Sequence, residues 1–360
     1  MKAAVCHAFG QPLIIEDIKL ANPNIDEVEV AVKACAICHS DITFAEGHWG
    51  GELPAVFGHE AAGIVSRVGQ GVTRVKPGDH VVVTLIRYCG DCHYCQQGSQ
   101  VMCETRFALD EQGPISSTHG IPIQQSMRTG AFAERIVVHH SQMVKVPKSL
   151  PFASASLLAC GVITGFGAVV NSAGVRPGQS VAVIGCGGVG LNAIQGAVHA
   201  GAATIVAIDL TESKLSDARA FGASHGINST TEDVTVKVNE LTAGRGVDFV
   251  FVTVGARPVF NQAFNYISKN GTVVVVGMPP TGVMAEYDPG TLAAWNQRII
   301  GSKMGEAIIS RDIPIFAEAY QRGELLLDEL ISNTYPLAEI NKAIAEVKAG
   351  TVKRNVIVFD

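Results

Sequence analysis

The sequence predicts an α/β protein of two domains: a doubly wound parallel sheet and a smaller antiparallel β-barrel or sandwich. Three observations carry that prediction. A chain of 360 residues is longer than one ordinary core supports. Up to about residue 100, short runs alternate polar and apolar residues and are broken by glycine and proline turns. After Gly178, apolar β-branched runs alternate with helical stretches instead, the pattern of buried parallel strands joined by crossover helices.

In chain order, Val28 to Ala34 and Gly63 to Gly69 show the period-two patterning of half-buried strands. Val75 to His80 is a turn, followed by the apolar strand Val81-Val82-Val83. Ser180 to Ile184 is a short buried strand leading into Gly185-Cys186-Gly187-Gly188-Val189-Gly190. A helix is expected from Leu191 to Ala200 and a strand from Thr204 to Ile208, ending at Asp209. The next expected elements are a helix over Ser213–Phe221 and strands over Val247–Val252 and Thr272–Val276. From about residue 311 an amphipathic helix places Ile313, Phe316, Ala317 and Tyr320 on one side. A further helix begins near Pro336, and a last strand, Asn355 to Phe359, returns to the first domain.

Composition narrows the function. Charged residues make up 17% and hydrophobic ones 47%, values of a globular chain. A net charge of −6 without a basic run argues against nucleic acid as a partner. No apolar stretch approaches ~20 residues, so no membrane span is expected. The N-terminus reads as a strand and lacks the features of a signal peptide, which predicts a cytoplasmic protein. Nine cysteines would suit a disulfide framework only in a small secreted domain. Here the count is odd, and four of them fall between Cys89 and Cys103. Metal is the better account.

The glycine motif has the context a dinucleotide site needs. A strand precedes it, a helix follows, and Asp209 ends the next strand 19 residues after Gly190. Gly185 permits a tight turn, Gly187 lets a pyrophosphate approach the backbone, and Gly190 packs helix on strand. Gly188 and Val189 open the helix, whose N-terminal N–H groups and dipole face the phosphates. Asp209 accepts the ribose hydroxyls and repels a 2′-phosphate, favouring NAD over NADP, and Lys214 reaches the same ribose. The plain alternative is a glycine-rich turn without a ligand.

Cys89-x2-Cys92-x2-Cys95-x7-Cys103 brings four thiolates into one loop, a set that suits a closed tetrahedral zinc site with no position left for chemistry. Disulfides and an iron–sulfur cluster are the alternatives. His93, inside this loop, reads as a solvated side chain. Taken singly, Cys160 is a small buried hydrophobe and His59 a turn histidine.

Together, Cys38-His39-Ser40-Asp41, Gly58-His59-Glu60, the four-cysteine loop, Cys160-Gly161-Val162-Ile163-Thr164-Gly165-Phe166-Gly167 and the Gly185–Gly190 motif with Asp209 form a specific set. Over essentially its full length the chain resembles zinc-dependent alcohol dehydrogenases of the medium-chain dehydrogenase/reductase superfamily. The resemblance implies a Rossmann domain, residues 162–303. It also implies a GroES-like β-barrel catalytic domain, residues 1–161 and 304–360, carrying two zinc ions. Cys38, His59 and Cys160 match the ligands of the catalytic zinc, in a cleft facing the nicotinamide, and Cys89, Cys92, Cys95 and Cys103 those of the structural one. Ser40 lies where such enzymes keep the hydroxyl that bonds the alcohol and starts a proton relay. Asp41 resembles the acid that orients His59, and Glu60 a carboxylate able to join the coordination transiently. His39 and Arg354 match residues near the cofactor phosphates. Thr164 and Val189 match residues pressing on the nicotinamide, and Val254, Val276 and Met278 complete the implied NAD contacts. Relatives assemble as homodimers or homotetramers through edge strands of the nucleotide domain, and Ile299 to Ser302 matches such a strand.

Two departures bear on substrate. Five positions after Cys38 many relatives carry a histidine that ends the relay; here the residue is Thr43, so His39, His48 or water must take that part. At the position where glutathione-dependent formaldehyde dehydrogenases carry an acid, this chain has Trp49. An indole there, with Leu85 and Met278 also expected near the pocket, favours an uncharged, apolar or aromatic primary alcohol. The alternatives are S-(hydroxymethyl)glutathione oxidation and a secondary-alcohol or polyol dehydrogenase.

Overall fold

A computed structural model describes residues 1–360 as two compact units, one of Met1–Gly161 with Ile308–Asp360 and one of Val162–Ala307.

The first unit contains a closed barrel of five short strands, in the order Lys2–Cys6, Ile14–Leu20, Ile115–Ser117, Pro122–Gln125 and Ala55–Val56. It also contains a seven-stranded sheet. Met143–Lys145, His80–Val83, Glu60–Val68, Glu27–Ala36, Arg354–Val358 and Ile331–Pro336 follow one another, and Arg135–His139 pairs with Glu27–Ala36 off that path. The sequence left barrel and sandwich open; the closed barrel decides between them, and its closure removes strand edges. The last strand runs antiparallel to Glu27–Ala36 with Val356 opposite Ala36. That pairing stitches the C-terminal segment onto the first 161 residues. Val28, Val30, Val32, Val81, Val83, Ile136, Val138 and Ile357 fill one core, the inward members of alternating strands.

The second unit is a six-stranded parallel sheet. Its order is His225–Asn228, Thr204–Asp209, Ser180–Ile184, Val247–Val252, Ile267–Val275 and Arg298–Gly301. Ser180–Ile184 is central, and successive strands are added first on one side of it and then on the other. The turn after it therefore stands at the topological switch point, where such sheets bind ligands. Its helix runs Gly188–His199, three residues earlier than the apolar pattern suggested, because Gly188 and Val189 already carry helical backbone.

Three sequence expectations need correcting. The segment after Pro336 forms a short 3-10 turn, Leu337–Glu339, before the helix Ile340–Lys348 begins. Tyr320 belongs to the helix Ile309–Gln321 but is only half-buried; its hydroxyl donates to Asp328 rather than joining the core. An apolar run of the length thought absent does exist. Phe152–Ala173 is a 22-residue helical run whose most apolar stretch has a mean hydropathy of 1.9, with 83% of that stretch buried within the fold. Small residues (Ala153, Ala155, Ala159, Gly161, Gly165, Gly167) dilute its hydrophobicity in a sequence reading.

Candidate metal centres and nucleotide-binding turn

In the first unit, Cys38, His59, Glu60 and Cys160 gather with their donor atoms all within 4.8 Å of one another, and all four residues are buried. Each comes from a different local device. Cys38 is the N-cap of the helix His39–Ala45. Asp41, in the first turn of that helix, accepts from the Cys38 N–H at 3.0 Å through Oδ2. Its other oxygen accepts from the Gly58 N–H at 2.8 Å and meets His59 Nδ1 at 3.0 Å. One carboxylate thus ties together the two segments that supply Cys38 and His59. Gly58 has a φ of +92°, and a Cβ there would stand 2.7 Å from the Phe132 backbone nitrogen. Only glycine fits the approach that turns His59 inward. Cys160 lies in a π-helical stretch, Leu158–Val162, the kind of helix irregularity found at functional sites.

The electrostatics suit a cation. His59 Nε2 is buried with no hydrogen-bond partner, while Nδ1 is committed to Asp41, the arrangement of a metal-ligating imidazole. The neighbouring Cys160 thiol, with His59, holds Cys38 well below the usual thiol range despite its burial, and the thiolate is the form that binds metal. Cys160 is pushed up by the same pairing and by burial. Burial raises the Glu60 carboxyl to about 7, against the pull of Arg354, its ion-pair partner.

Around this cluster, Ser40 is half-buried and His39 exposed. The Thr43 hydroxyl donates to the His39 carbonyl at 2.8 Å, a backbone bond that occupies its proton. Trp49 stands edge-on to Phe44 with ring centroids 5.1 Å apart. Leu85 is half-buried.

The four-cysteine loop forms a second group, again with donor atoms within 4.8 Å of one another. Cys89 and Cys95 sulfurs lie 4.0 Å apart and Cys92 and Cys103 sulfurs 3.9 Å apart. A zinc–thiolate tetrahedron with bonds of about 2.3 Å has edges of about 3.8 Å. The Asp91 and Cys92 N–H groups donate to the Cys89 sulfur at 3.3 and 3.2 Å. With the Thr105 hydroxyl, they lower the Cys89 thiol to about 6. His93 is exposed at the start of the short helix His93–Gln96. Cys6, Cys35 and Cys186 are buried packing residues.

In the second unit, the glycine turn has the shape of a phosphate cradle. A Cβ on Gly185 would meet Val254 Cγ1 at 2.4 Å, and one on Gly190 the Gly185 carbonyl oxygen at 1.8 Å. A Cβ on Gly187 would meet nothing within 4 Å. The first and third glycines are demanded by packing and the second borders open space, which is what a dinucleotide backbone needs. Asp209 Oδ2 accepts from the Cys186 N–H at 2.7 Å, and Oδ1 from the Leu210 N–H at 2.7 Å. The acid that ends the second strand is therefore clamped against the glycine turn, a contact the sequence spacing alone did not reveal. Lys214 and Val254 are half-buried, Val276 is buried and Met278 is 67% exposed. Thr164 is buried and donates to the Met304 sulfur at 3.7 Å. Val189 is half-buried at the helix start.

Comparison with known proteins matches two stretches of the chain. The alcohol dehydrogenase GroES-like domain family matches residues 24–148, and the zinc-binding dehydrogenase family matches residues 188–321. An NDMA-dependent alcohol dehydrogenase from Amycolatopsis methanolica is 38% identical over 99% of this chain and 98% of its own length. A probable S-(hydroxymethyl)glutathione dehydrogenase from Schizosaccharomyces pombe is 37% identical over 99% of this chain and 96% of its own. The crystal structure of benzyl alcohol dehydrogenase from Acinetobacter calcoaceticus superimposes with a TM-score of 0.93 at 32% identity, covering 100% of this chain and 99% of that one.

Proposed function

Because the chain belongs to the zinc-dependent alcohol dehydrogenase family of the medium-chain dehydrogenase/reductase superfamily, we propose that it interconverts a primary, apolar or aromatic alcohol and its aldehyde with NAD. The observation that carries this reading is the buried set Cys38, His59 and Cys160, with the His59 Nε2 unpartnered among thiol donors. Two sulfurs and one nitrogen leave a position open to substrate, whereas the four sulfurs of Cys89, Cys92, Cys95 and Cys103 do not.

In this reading Cys38, His59 and Cys160 hold the catalytic zinc and the four-cysteine loop the structural one. Zinc, when bound, lowers the pKa of an alcohol hydroxyl, and NAD takes up the hydride. The chain's own residues do the rest. Asp41 fixes the His59 ring through Nδ1 so that Nε2 faces the cluster. Ser40 Oγ, one residue from the Asp41 anchor, takes the alcohol proton and passes it outward. With the Thr43 hydroxyl committed to the His39 carbonyl, that proton leaves by His39, His48 or water. Gly187 admits the pyrophosphate, and Asp209 Oδ2, which accepts only from the Cys186 N–H, keeps a lone pair for the ribose. Trp49 on Phe44 lends the pocket an aromatic wall, which is consistent with the benzyl alcohol dehydrogenase neighbour. Nine free cysteines suit the reducing cytoplasm, and a homodimer or homotetramer is the expected assembly.

A second reading has its own observation: the Amycolatopsis relative is NDMA-dependent by name, and in that reading an added electron acceptor replaces free NAD in turnover. Purified protein assayed with aliphatic, aromatic and polyol alcohols separates the cases. NADH formed from a primary alcohol supports the first; turnover only with NDMA supports the second; formaldehyde oxidation that requires glutathione supports S-(hydroxymethyl)glutathione as substrate. In parallel, Cys160→Ala is expected to abolish turnover and to remove one bound metal while the circular dichroism spectrum stays native. Near-normal activity in that variant would take Cys160 out of the ligand set.

A further inference from the structure

Gly161 follows Cys160 in the π-helical turn Leu158–Val162. Its backbone is not left-handed, and alanine is the better helix former, so the helix itself does not call for glycine here. The surroundings do. A Cβ on Gly161 would stand 3.0 Å from Arg354 Nη1 and 3.7 Å from Glu60 Oε2. Neither neighbour can retreat into water, since Glu60 is 0% and Arg354 6% exposed. Arg354 Nη2 pairs with Glu60 Oε1, and the Gly161 N–H donates to Glu60 Oε2 at 3.3 Å. The carboxylate is therefore held at both oxygens on the side of Arg354 and Gly161. Yet a Glu60 oxygen lies within 4.8 Å of the Cys38, His59 and Cys160 donor atoms, close enough to compete for a metal once released.

We propose that Gly161 is a positioning residue: its missing side chain seats Arg354 on Glu60 and so keeps the Glu60 carboxylate off the metal, leaving the fourth position for the alcohol. The proposal rests on the reading of Cys38, His59 and Cys160 as metal ligands.

The test uses the full-length protein loaded with cobalt(II), titrated with imidazole as an external ligand and followed by visible absorption. In Gly161→Ala the loosened carboxylate occupies the open position, and imidazole affinity should fall roughly tenfold, the scale on which outer-sphere partners act at metal sites. Arg354→Lys, which withdraws the guanidinium without touching Gly161, should give the same loss, so the test survives if one variant fails to fold. Adding Glu60→Ala to Gly161→Ala should restore the native affinity. A purely structural effect of the extra methyl would not be reversed in this way. Native affinity in both single variants, or a loss that persists without Glu60, overturns the proposal. Failure of the native protein to bind cobalt at this centre overturns the ligand reading itself, and the proposal with it.

Discussion

Asp41 shows how much of the first unit's site hangs on one side chain. It satisfies two backbone N–H groups and the His59 ring at once, and it is 2% exposed, so water cannot replace it. Asp41→Asn keeps the shape but turns one acceptor into a donor. The amide nitrogen must then face either the Cys38 N–H or the Gly58 N–H. The expected outcome is a loss of about 10- to 100-fold in metal affinity at this centre, read as faster transfer of zinc to a chromogenic chelator, with the four-cysteine site unaffected. Equal release rates in native and variant protein would argue that the His59 ring is oriented by something else. His139 makes a different residue-scale case. Its ring lies 4.7 Å from Phe107 and 4.5 Å from His140, and Nδ1 meets Ser141 Oγ at 2.8 Å. Burial, with His140 and Arg87 nearby, pushes its pKa down to about 4. The unfolded chain, with a histidine pKa of about 6.5, takes up the proton first as pH falls. Stability is therefore lost between about pH 6.5 and 4, by at most on the order of 3 kcal/mol, and the loss levels off below that. Urea midpoints measured across this range should slope less in His139→Gln than in the native protein; parallel slopes would sink the argument.

Among the elements, the central strands of the second unit were legible because buried parallel strands leave unbroken β-branched runs, whereas the edge strand His225–Asn228, the helix Val234–Leu241 and the polar first half of Ile267–Val275 carry no such run and went unread. Val247–Val252 is found with the bounds its sequence suggested, and Ser213–Phe221 is displaced by a single residue to Glu212–Ala220. The grouping of Cys89, Cys92, Cys95 and Cys103 was legible for a related reason, since side chains on one loop recur at short spacing, whereas Cys38, His59 and Cys160 are scattered along the chain and only the resemblance joined them. What stayed hidden depends on partners distant in sequence. The π-turn around Cys160, the Gly58 contact with Phe132 and the Asp209 clamp on Cys186 all involve neighbours that no local pattern names. The glycine turn lends itself to a prediction that separates fold from function. Gly190→Ala drives a Cβ to 1.8 Å from the Gly185 carbonyl. It should lower the melting temperature by several degrees, as a backbone clash of a few kcal/mol does. Gly187→Ala meets nothing within 4 Å, so its melting temperature should stay native while NAD affinity drops about tenfold or more, because the methyl sits where the pyrophosphate must approach. If both variants melt alike and bind NAD alike, the division of labour among these glycines is wrong.

At the scale of the whole molecule, the sequence separated two textures, and the structure separates two units, with the C-terminal segment rejoining the first. Only pairing could show how that return is made, through Arg354–Val358 on Glu27–Ala36, because a terminal apolar strand does not name its neighbour. The same pairing carries Arg354 to Glu60, joining the last residues of the chain to the candidate centre. The sheet of the second unit leaves one matter open to assembly. It ends on the strand Arg298–Gly301, which is paired on one side only, with Ile267–Val275. An edge of this kind is a template for another strand unless it is covered. The chain leading into it exposes Val283, Met284, Tyr287 and Trp295, and the strand itself exposes Ile299 by 38%; exposed apolar side chains beside an open edge are a recurring mark of an interface. A second copy of this chain, added across a two-fold axis, would continue the sheet and bury those side chains. Light scattering should therefore give the native protein the mass of a dimer or tetramer. Ile299→Lys, a surface change with little reason to disturb the fold, should shift that mass toward the monomer, and dilution should dissociate the variant at concentrations where the native assembly persists. A native monomer would remove the edge strand from consideration, and an unaltered mass in the variant would move the interface elsewhere on the molecule.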